Sequence, residues 1–266
     1  MKAYLNKIVQ GQPLNYEAFL KVLPADMARN HRKLFATEKV APNRWRVNVL
    51  DRELFAELIA RVETPQNRAH AARQGDSHRH GTGHAFLLVF HEPPVDDRPE
   101  VVICSDNGTN AGFRPAAQVL VVENEENFFH YRQMLAFAAQ CLGAGLALPD
   151  CDVVLGGGNR ITRPACRQWL DQYQAVYCAF DYDAGGLEMF NTLRRTLGDK
   201  ARFVQPPDWS AWYPACKKTP DSTHRFTRAI TLAEDLGFDG LAEAFRVTGK
   251  FMEQETILDD RYSGEQ

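Results

Sequence analysis

Three apolar runs that end alike constrain the fold of this chain more than any other feature. QVLVVEN (118–124), CDVVLGGGN (151–159) and QAVYCAFDYDAGG (174–186) each carry a continuous apolar stretch and then stop on acids or glycines. A strand with no polar face is covered on both sides, as in parallel sheets whose crossovers are helices. The segments between them supply those helices. EENFFHYRQMLAFAAQCLG follows the first run, a helix with Thr162 as N-cap and Pro164 in its first turn follows the second, and LEMFNTLRRTL follows the third. ARFVQPP (201–207) reads as a short fourth strand. Right-handed crossovers then put the strand ends on one rim, and the expected class is α/β, a Rossmann-like parallel sheet flanked by helices.

Ligands of such sheets bind outside the carboxyl ends of the strands. Those ends carry Glu123, the loop Gly156-Gly157-Gly158-Asn159, and Asp181 with Asp183. Carboxylates at i and i+2 of an extended segment point the same way, and at close range they call for a cation or a shared proton. Oxygen ligands of this kind suit one or two Mg²⁺ or Mn²⁺ ions, which bind through a few carboxylates, water and substrate phosphates. The glycines let a phosphate backbone approach closely, although GGGN has neither the GxGxxG order of a dinucleotide site nor the GK[ST] ending of a P-loop. Taken alone, DYDAGG also reads as a strand-ending turn; Glu123 at a neighbouring strand end favours the metal.

Composition limits what this rim belongs to. With 266 residues, 44% hydrophobic and 24% charged, the chain can bury one large or two modest cores. It has no run of about 18 apolar residues, and MKAYLNKIVQ lacks a signal-peptide core, so a cytoplasmic protein is expected. Six scattered cysteines without a CxxC pair suggest buried thiols rather than a zinc ribbon or a disulfide framework. The net charge of −3 hides an asymmetry: residues 1–50 hold nine Lys/Arg against three Asp/Glu. A basic amino-terminal module on an acidic remainder fits a nucleic-acid-binding arm joined to a metal-binding body, and a solvated basic face fits equally well on charge alone.

Within that module, 15–23 and 51–62 have helical spacing, the second with Asp51 as N-cap, and RWRVNV (44–49) alternates like a strand. Such a smaller α+β module is compatible with a winged-helix-like fold. Residues 64–83 read as a loop, followed by strands at 84–90 and 100–105. The expected division is 1–113, a basic DNA- or partner-binding module with its linker, and 114–266, the catalytic domain with a helical carboxyl terminus. Asp76, His78, His80 and His84 could form a transition-metal cluster through their HxH spacing, but a polar loop explains them as well. Trp209, Trp212 and Tyr213 read as packing over the sheet edge rather than a stacking surface.

A Glu ending one strand, a Gly ending the next and DxD ending a third is the Toprim signature of topoisomerases, primases and some nucleases. Within that superfamily, VLVVENEENF, VVLGGGN and FDYDAGGLEMFNTLR resemble the nuclease subunit, JetD or MksG, of the condensin-like Wadjet and MksBEFG plasmid-defence systems. MEQE (252–255) is similar to that family's terminal Glu-Gln-Glu, without assigning roles to Glu253 and Glu255. The resemblance covers about 118–258 and implies a Toprim fold in which Glu123, Asp181 and Asp183 bind metal and carry DNA cleavage. It also implies SMC-like ATPase and kleisin-type partners, duplex plasmid DNA as substrate, and a homodimer as one assembly.

Gly157, Gly158, Asn159, Arg160 and Arg194, just after the strand ends or on the helices that follow, are candidate phosphate contacts, with Arg163 and Arg195 beside them; Arg32, Lys33, Arg44 and Arg46 are those of the basic module. Two other functions stay open. A Toprim topoisomerase-like strand-passage enzyme needs a tyrosine nucleophile, for which the early chain offers Tyr4 and Tyr16 outside any motif. A non-catalytic DNA-binding scaffold has no need of the complete Glu and DxD set.

Overall fold

The computed structural model describes residues 1–62, 72, 83–92 and 98–259. It divides into two compact units, Met1–Thr82 and Gly83–Gln266. The first is α+β. Helices α1 (Lys2–Val9), α2 (Tyr16–Leu20), α3 (Ala25–Arg29) and α4 (His31–Leu34) precede an antiparallel hairpin, β1 (Phe35–Ala41) with β2 (Arg44–Val49), and α5 (Arg52–Val62). Asn43 turns the hairpin at a φ of 56°, a left-handed conformation that asparagine tolerates. Asp51 caps α5 as expected, its Oδ1 accepting from the amides of Glu53 and Leu54. Leu5, Leu14, Phe19, Leu34, Phe35 and Leu58 form this unit's own core.

The second unit is built on a seven-stranded sheet. In chain order its elements are β3 (His84–Phe90), β4 (Glu100–Ser105), β5 (Gly108–Asn110), β6 (Gln118–Val122), α6 (Glu125–Phe129), α7 (Tyr131–Leu142), β7 (Cys151–Leu155), α8 (Pro164–Leu170), β8 (Ala175–Ala179), α9 (Ala184–Leu197), β9 (Ala201–Phe203), α10 (Thr223–Asp235) and α11 (Asp239–Thr248). The sheet order is β5-β4-β3-β7-β6-β8-β9. The four strands predicted from residue 118 onward form its parallel half, β7-β6-β8-β9, with β6 pairing Val122 to Leu155 on one side and to Ala179 on the other. This is the expected α/β class, consistent with the Rossmann-like Toprim architecture.

Three details differ from the sequence reading. The sheet is mixed, because β3 adds antiparallel to β7 and carries β4 and β5 with it. The boundary between compact units accordingly falls at 82/83 rather than at 113/114. Thr162 does not cap α8: Arg163 holds the N-cap position with Pro164 at the first helical residue, and the Thr162 hydroxyl donates to the Asn159 carbonyl.

Burial follows the strand patterns. β7 is buried at every residue, and β6 and β8 at all but the first. β3 alternates, leaving Phe86 exposed where Leu87 and Val89 are fully covered. The six cysteines are free thiols, five buried and Cys141 half-buried. Trp209 meets Tyr182 edge-on at 4.7 Å, so the aromatic segment packs as expected. Among the described residues no helix is long and apolar enough to cross a membrane. Asp76, His78 and His80 lie outside the described residues.

Candidate active site

The parallel half of the sheet sets the site. The chain passes from β6 to β7 on one side and returns to β8 on the other, so a crevice opens at the carboxyl end of β6. With Val122, Leu155 and Ala179 in register, the residues that follow them share one rim. Glu123, Gly156 and the Asp181–Asp183 turn therefore meet, as the strand endings predict. Gly156 fits because its amide donates to the Val122 carbonyl at 2.7 Å, and a Cβ there sits 3.1 Å from that oxygen.

Each carboxylate is held differently. Glu123 Oε2 accepts from the Asp181 amide at 2.9 Å, which ties the end of β6 to the DxD turn. Asp181 Oδ1 accepts from the Gln254 amide at 2.9 Å. Asp183 caps α9, its Oδ1 accepting from the amides of Gly185 and Gly186 at 2.8 and 3.0 Å. These bonds leave Asp181 Oδ2 and Asp183 Oδ2 aimed at a single positive charge, the ammonium of Lys218, at 3.6 and 3.4 Å. Lys218 also reaches Glu253 Oε1 at 3.1 Å.

The electrostatics follow from this crowding in a partly dry crevice. Burial pushes Glu123 up to about 7, against the hydrogen bond from the Asp181 amide and with the charges of Asp181 and Asp183 adding to the rise. Burial likewise pushes Asp181 up to about 6, against its bond from the Gln254 amide. Partial burial opposes the Lys218 charge, but its hydrogen bond to Glu253 and the charges of Asp183 and Asp181 outweigh this and hold it above the ordinary lysine value.

Among the described residues no set of three or more His, Cys, Asp or Glu side chains is closed around a common point as a metal cage. The rim instead offers two converging carboxylate oxygens with a third carboxylate behind them. That all-oxygen donor chemistry matches what hard divalent cations take when water and substrate complete the shell.

Lys218 was illegible in the sequence, and the role of the Gln254 amide was not assigned there. Lys218 stands in KKTP, outside any motif, and reaches the site because its segment exchanges backbone hydrogen bonds with Phe251 at 3.1 and 2.9 Å. The same stretch pairs Met252 with Tyr182, inside the DxD turn. This places Glu253, Gln254 and Glu255 at the rim, where the charge of Glu255 adds to the rise at Asp181. The fully buried Gln254 side chain accepts from Asn127 Nδ2 at 3.4 Å, joining the helix after Glu123 to the same segment. MEQE was the one available signal.

The predicted phosphate contacts divide. Gly157 and Gly158 both take positive φ, 59° and 60°, and lead into a 3₁₀ turn, Gly158–Arg160, at the end of β7. The Arg160 guanidinium lies 4.9 Å over the Phe86 ring. Arg194 is not at the rim: it lies in the last turn of α9, roughly 16 Å along the helix from Asp183, and donates to the Leu236 carbonyl. Arg195 shares that last turn. Arg32, Lys33, Arg44 and Arg46 are exposed on α4 and β2 of the first unit, Arg46 facing Glu38 at 3.7 Å. Asp152, an acid that the strand endings did not select, lies near the start of β7, where Tyr173 and the Ala116 amide satisfy it.

No curated protein and no solved structure matches the chain. A family match, however, covers residues 80–263, beginning just before β3 and running past the Glu253–Glu255 segment, so it spans every element that builds this rim. The family is described as Wadjet protein JetD, C-terminal, and the match takes in more than two thirds of the chain, which therefore belongs to the JetD family.

Proposed function

We propose that this chain is the metal-dependent DNA endonuclease subunit of a Wadjet-type, condensin-like plasmid-defence complex. The observation that carries the reading is the aim of Asp181 Oδ2 and Asp183 Oδ2 at one cation, beside Glu123, in a JetD-family chain. Asp181 and Asp183 are the direct ligands of Mg²⁺ or Mn²⁺ in this reading, and Glu123 completes the shell or handles a proton. A bound divalent ion would neutralise charge on the scissile phosphate and ease deprotonation of the attacking water.

The protein's own groups do the rest. Asp181 and Asp183 are fixed by hydrogen bonds to their first oxygens, so their second oxygens stay directed into the crevice. Glu123 Oε1, the oxygen not engaged by the Asp181 amide, can take a proton from water or return one to the leaving oxygen, and burial tunes it toward neutral pH for either task. Gly157 and Gly158 present no side chain to an incoming phosphate backbone. Plasmid DNA incubated with the protein should be cut in Mg²⁺ or Mn²⁺ and left intact in excess EDTA. Undiminished cleavage in EDTA would remove the metal argument altogether.

Hydrolysis is favoured over reversible strand passage by the first unit's tyrosines. Tyr16 is buried and bonded to His31 at 2.9 Å, so it is not presented as a nucleophile, and Tyr4 lays its ring against Phe19. DNA selection and ATP hydrolysis belong, in this reading, to SMC-like and kleisin-type partner subunits in the cytoplasm, with a homodimer of this chain as one mode of assembly.

Arg32, Lys33, Arg44 and Arg46 supply nonspecific DNA affinity through counterion release. Reversing all four to Glu should weaken duplex binding and lower the log-log salt slope by about 0.9 per lost phosphate contact, measured by fluorescence anisotropy across salt. An unchanged affinity and slope would make the first unit a docking surface for partner subunits instead.

A further inference from the structure

The ammonium of Lys218 stands where the two DxD oxygens converge. Resting on the reading of Asp181 and Asp183 as the ligands of a divalent ion, we propose that Lys218 is a built-in competitor for that ion. It holds the carboxylate pair together in the metal-free protein and withdraws onto Glu253 when metal arrives.

Three observations carry this. First, Asp181 Oδ2 and Asp183 Oδ2 are both within 4 Å of one Nζ, so a divalent ion bound by the same two oxygens must displace it. Second, Lys218 has a place to go: Glu253 is its nearest partner at 3.1 Å, and the Glu253 side chain is 54% exposed against 16% for either aspartate. Third, the Lys218 backbone is anchored by its paired bonds to Phe251, so the exchange needs only side-chain rotation on a fixed stem.

The physical consequence is a subtraction. Two carboxylates facing one another repel, and the ammonium offsets that repulsion before any metal is present. Metal binding forfeits those ion pairs, so the apparent affinity is lower than the same carboxylates would give without the lysine. After the exchange a positive charge remains beside Glu253, at the exposed side of the site.

The test is Mn²⁺ binding to the full chain, followed by loss of the EPR signal of the free hexaaqua ion, with no DNA and no cleavage readout. Lys218→Met and Lys218→Gln should each bind Mn²⁺ about ten-fold more tightly than the wild type, whereas Lys218→Arg, which keeps the charge, should stay within about two-fold. In EDTA at pH 8 the two neutral variants should melt several degrees lower, with a larger gain on adding Mn²⁺. Equal or weaker Mn²⁺ binding by folded Met and Gln variants overturns the competition while leaving the metal site standing. Equal tightening in Lys218→Arg overturns it too, because charge is then not the cause. If the wild type and every variant fail to bind Mn²⁺, the metal reading itself falls and the competition with it.

Discussion

Glu123→Gln should abolish plasmid cleavage and raise the melting temperature of the metal-free protein at pH 8. The sign follows from the site. Burial holds the folded-state value of Glu123 at about 7, above the ordinary 4.5, so the folded protein keeps this proton longer than the unfolded chain. Between about pH 4.5 and 7 the unfolded state binds fewer protons, and stability falls as pH rises. Above about 7 the full penalty of a buried carboxylate is present. Gln keeps the oxygen that accepts from the Asp181 amide but cannot ionise, so it escapes the penalty.

The shift converts to on the order of 2 kcal/mol once screening by Lys218 and crevice water is allowed for. In a unit of this size that corresponds to about 4–8 °C at pH 8, shrinking to nothing below about pH 4.5. Cleavage should fall by about 10²- to 10⁴-fold, the usual contribution of a positioned acid or base. Differential scanning fluorimetry in EDTA at several pH values, alongside a plasmid-nicking assay, reads both effects. A lower melting temperature at pH 8 would show that the ionised carboxylate stabilises the turn rather than straining it, and retained cleavage would remove Glu123 from the chemistry.

The parts of this molecule that were legible in advance are those encoded by local pattern. β6, β7 and β8 are covered on both faces, so their sequences are uninterrupted apolar runs, and the rim residues follow at the points where those runs stop. Asp51 beginning α5 is a similarly local signal. What was not legible depends on pairing between distant segments. β3 alternates in burial because only one of its faces is packed, and alternation does not tell which sheet a hairpin joins, so that the compact unit holding β3, β4 and β5 begins at residue 83 was not legible. Lys218 is 35 residues beyond Asp183 and reaches it through a bridge to Phe251, a pairing with no local signature. Arg194 was a candidate phosphate contact because it lies on the helix that follows Asp183, but a helix carries its last turn away from its first, and α9 sends Arg194 to the carbonyl of Leu236.

Gly186→Ala should be among the most damaging single substitutions in the second unit. A Cβ on Gly186 falls 2.1 Å from the Asp181 carbonyl oxygen and 3.0 Å from its carbon, so the clash is with backbone and no side-chain rotation relieves it. That backbone cannot give way cheaply. The Asp181 amide is bonded to Glu123, its side chain to the Gln254 amide, and the Gly186 amide to Asp183. Relief requires either opening the DxD turn or pushing α9 off the sheet, where Leu187, Phe190 and Leu193 are buried. The expected loss is about 3 kcal/mol, the upper range for overpacking, or about 6–12 °C in melting temperature, together with loss of cleavage as Asp181 and Asp183 move apart. Gly185→Ala is the internal comparison. Its Cβ meets no backbone: Asp183 Oδ1, the cap oxygen, lies at 3.2 Å and needs to give by only a few tenths of an ångström, and Arg225 Nη2 lies at 3.5 Å, so its cost should stay near 1 kcal/mol. Because the two glycines are neighbours on the first turn of one helix, the difference between the variants isolates the contact with Asp181. A Gly186→Ala protein melting within about 2 °C of the wild type would show that the turn is looser than its hydrogen bonds require, and that the geometry of the carboxylate pair is not set by this glycine.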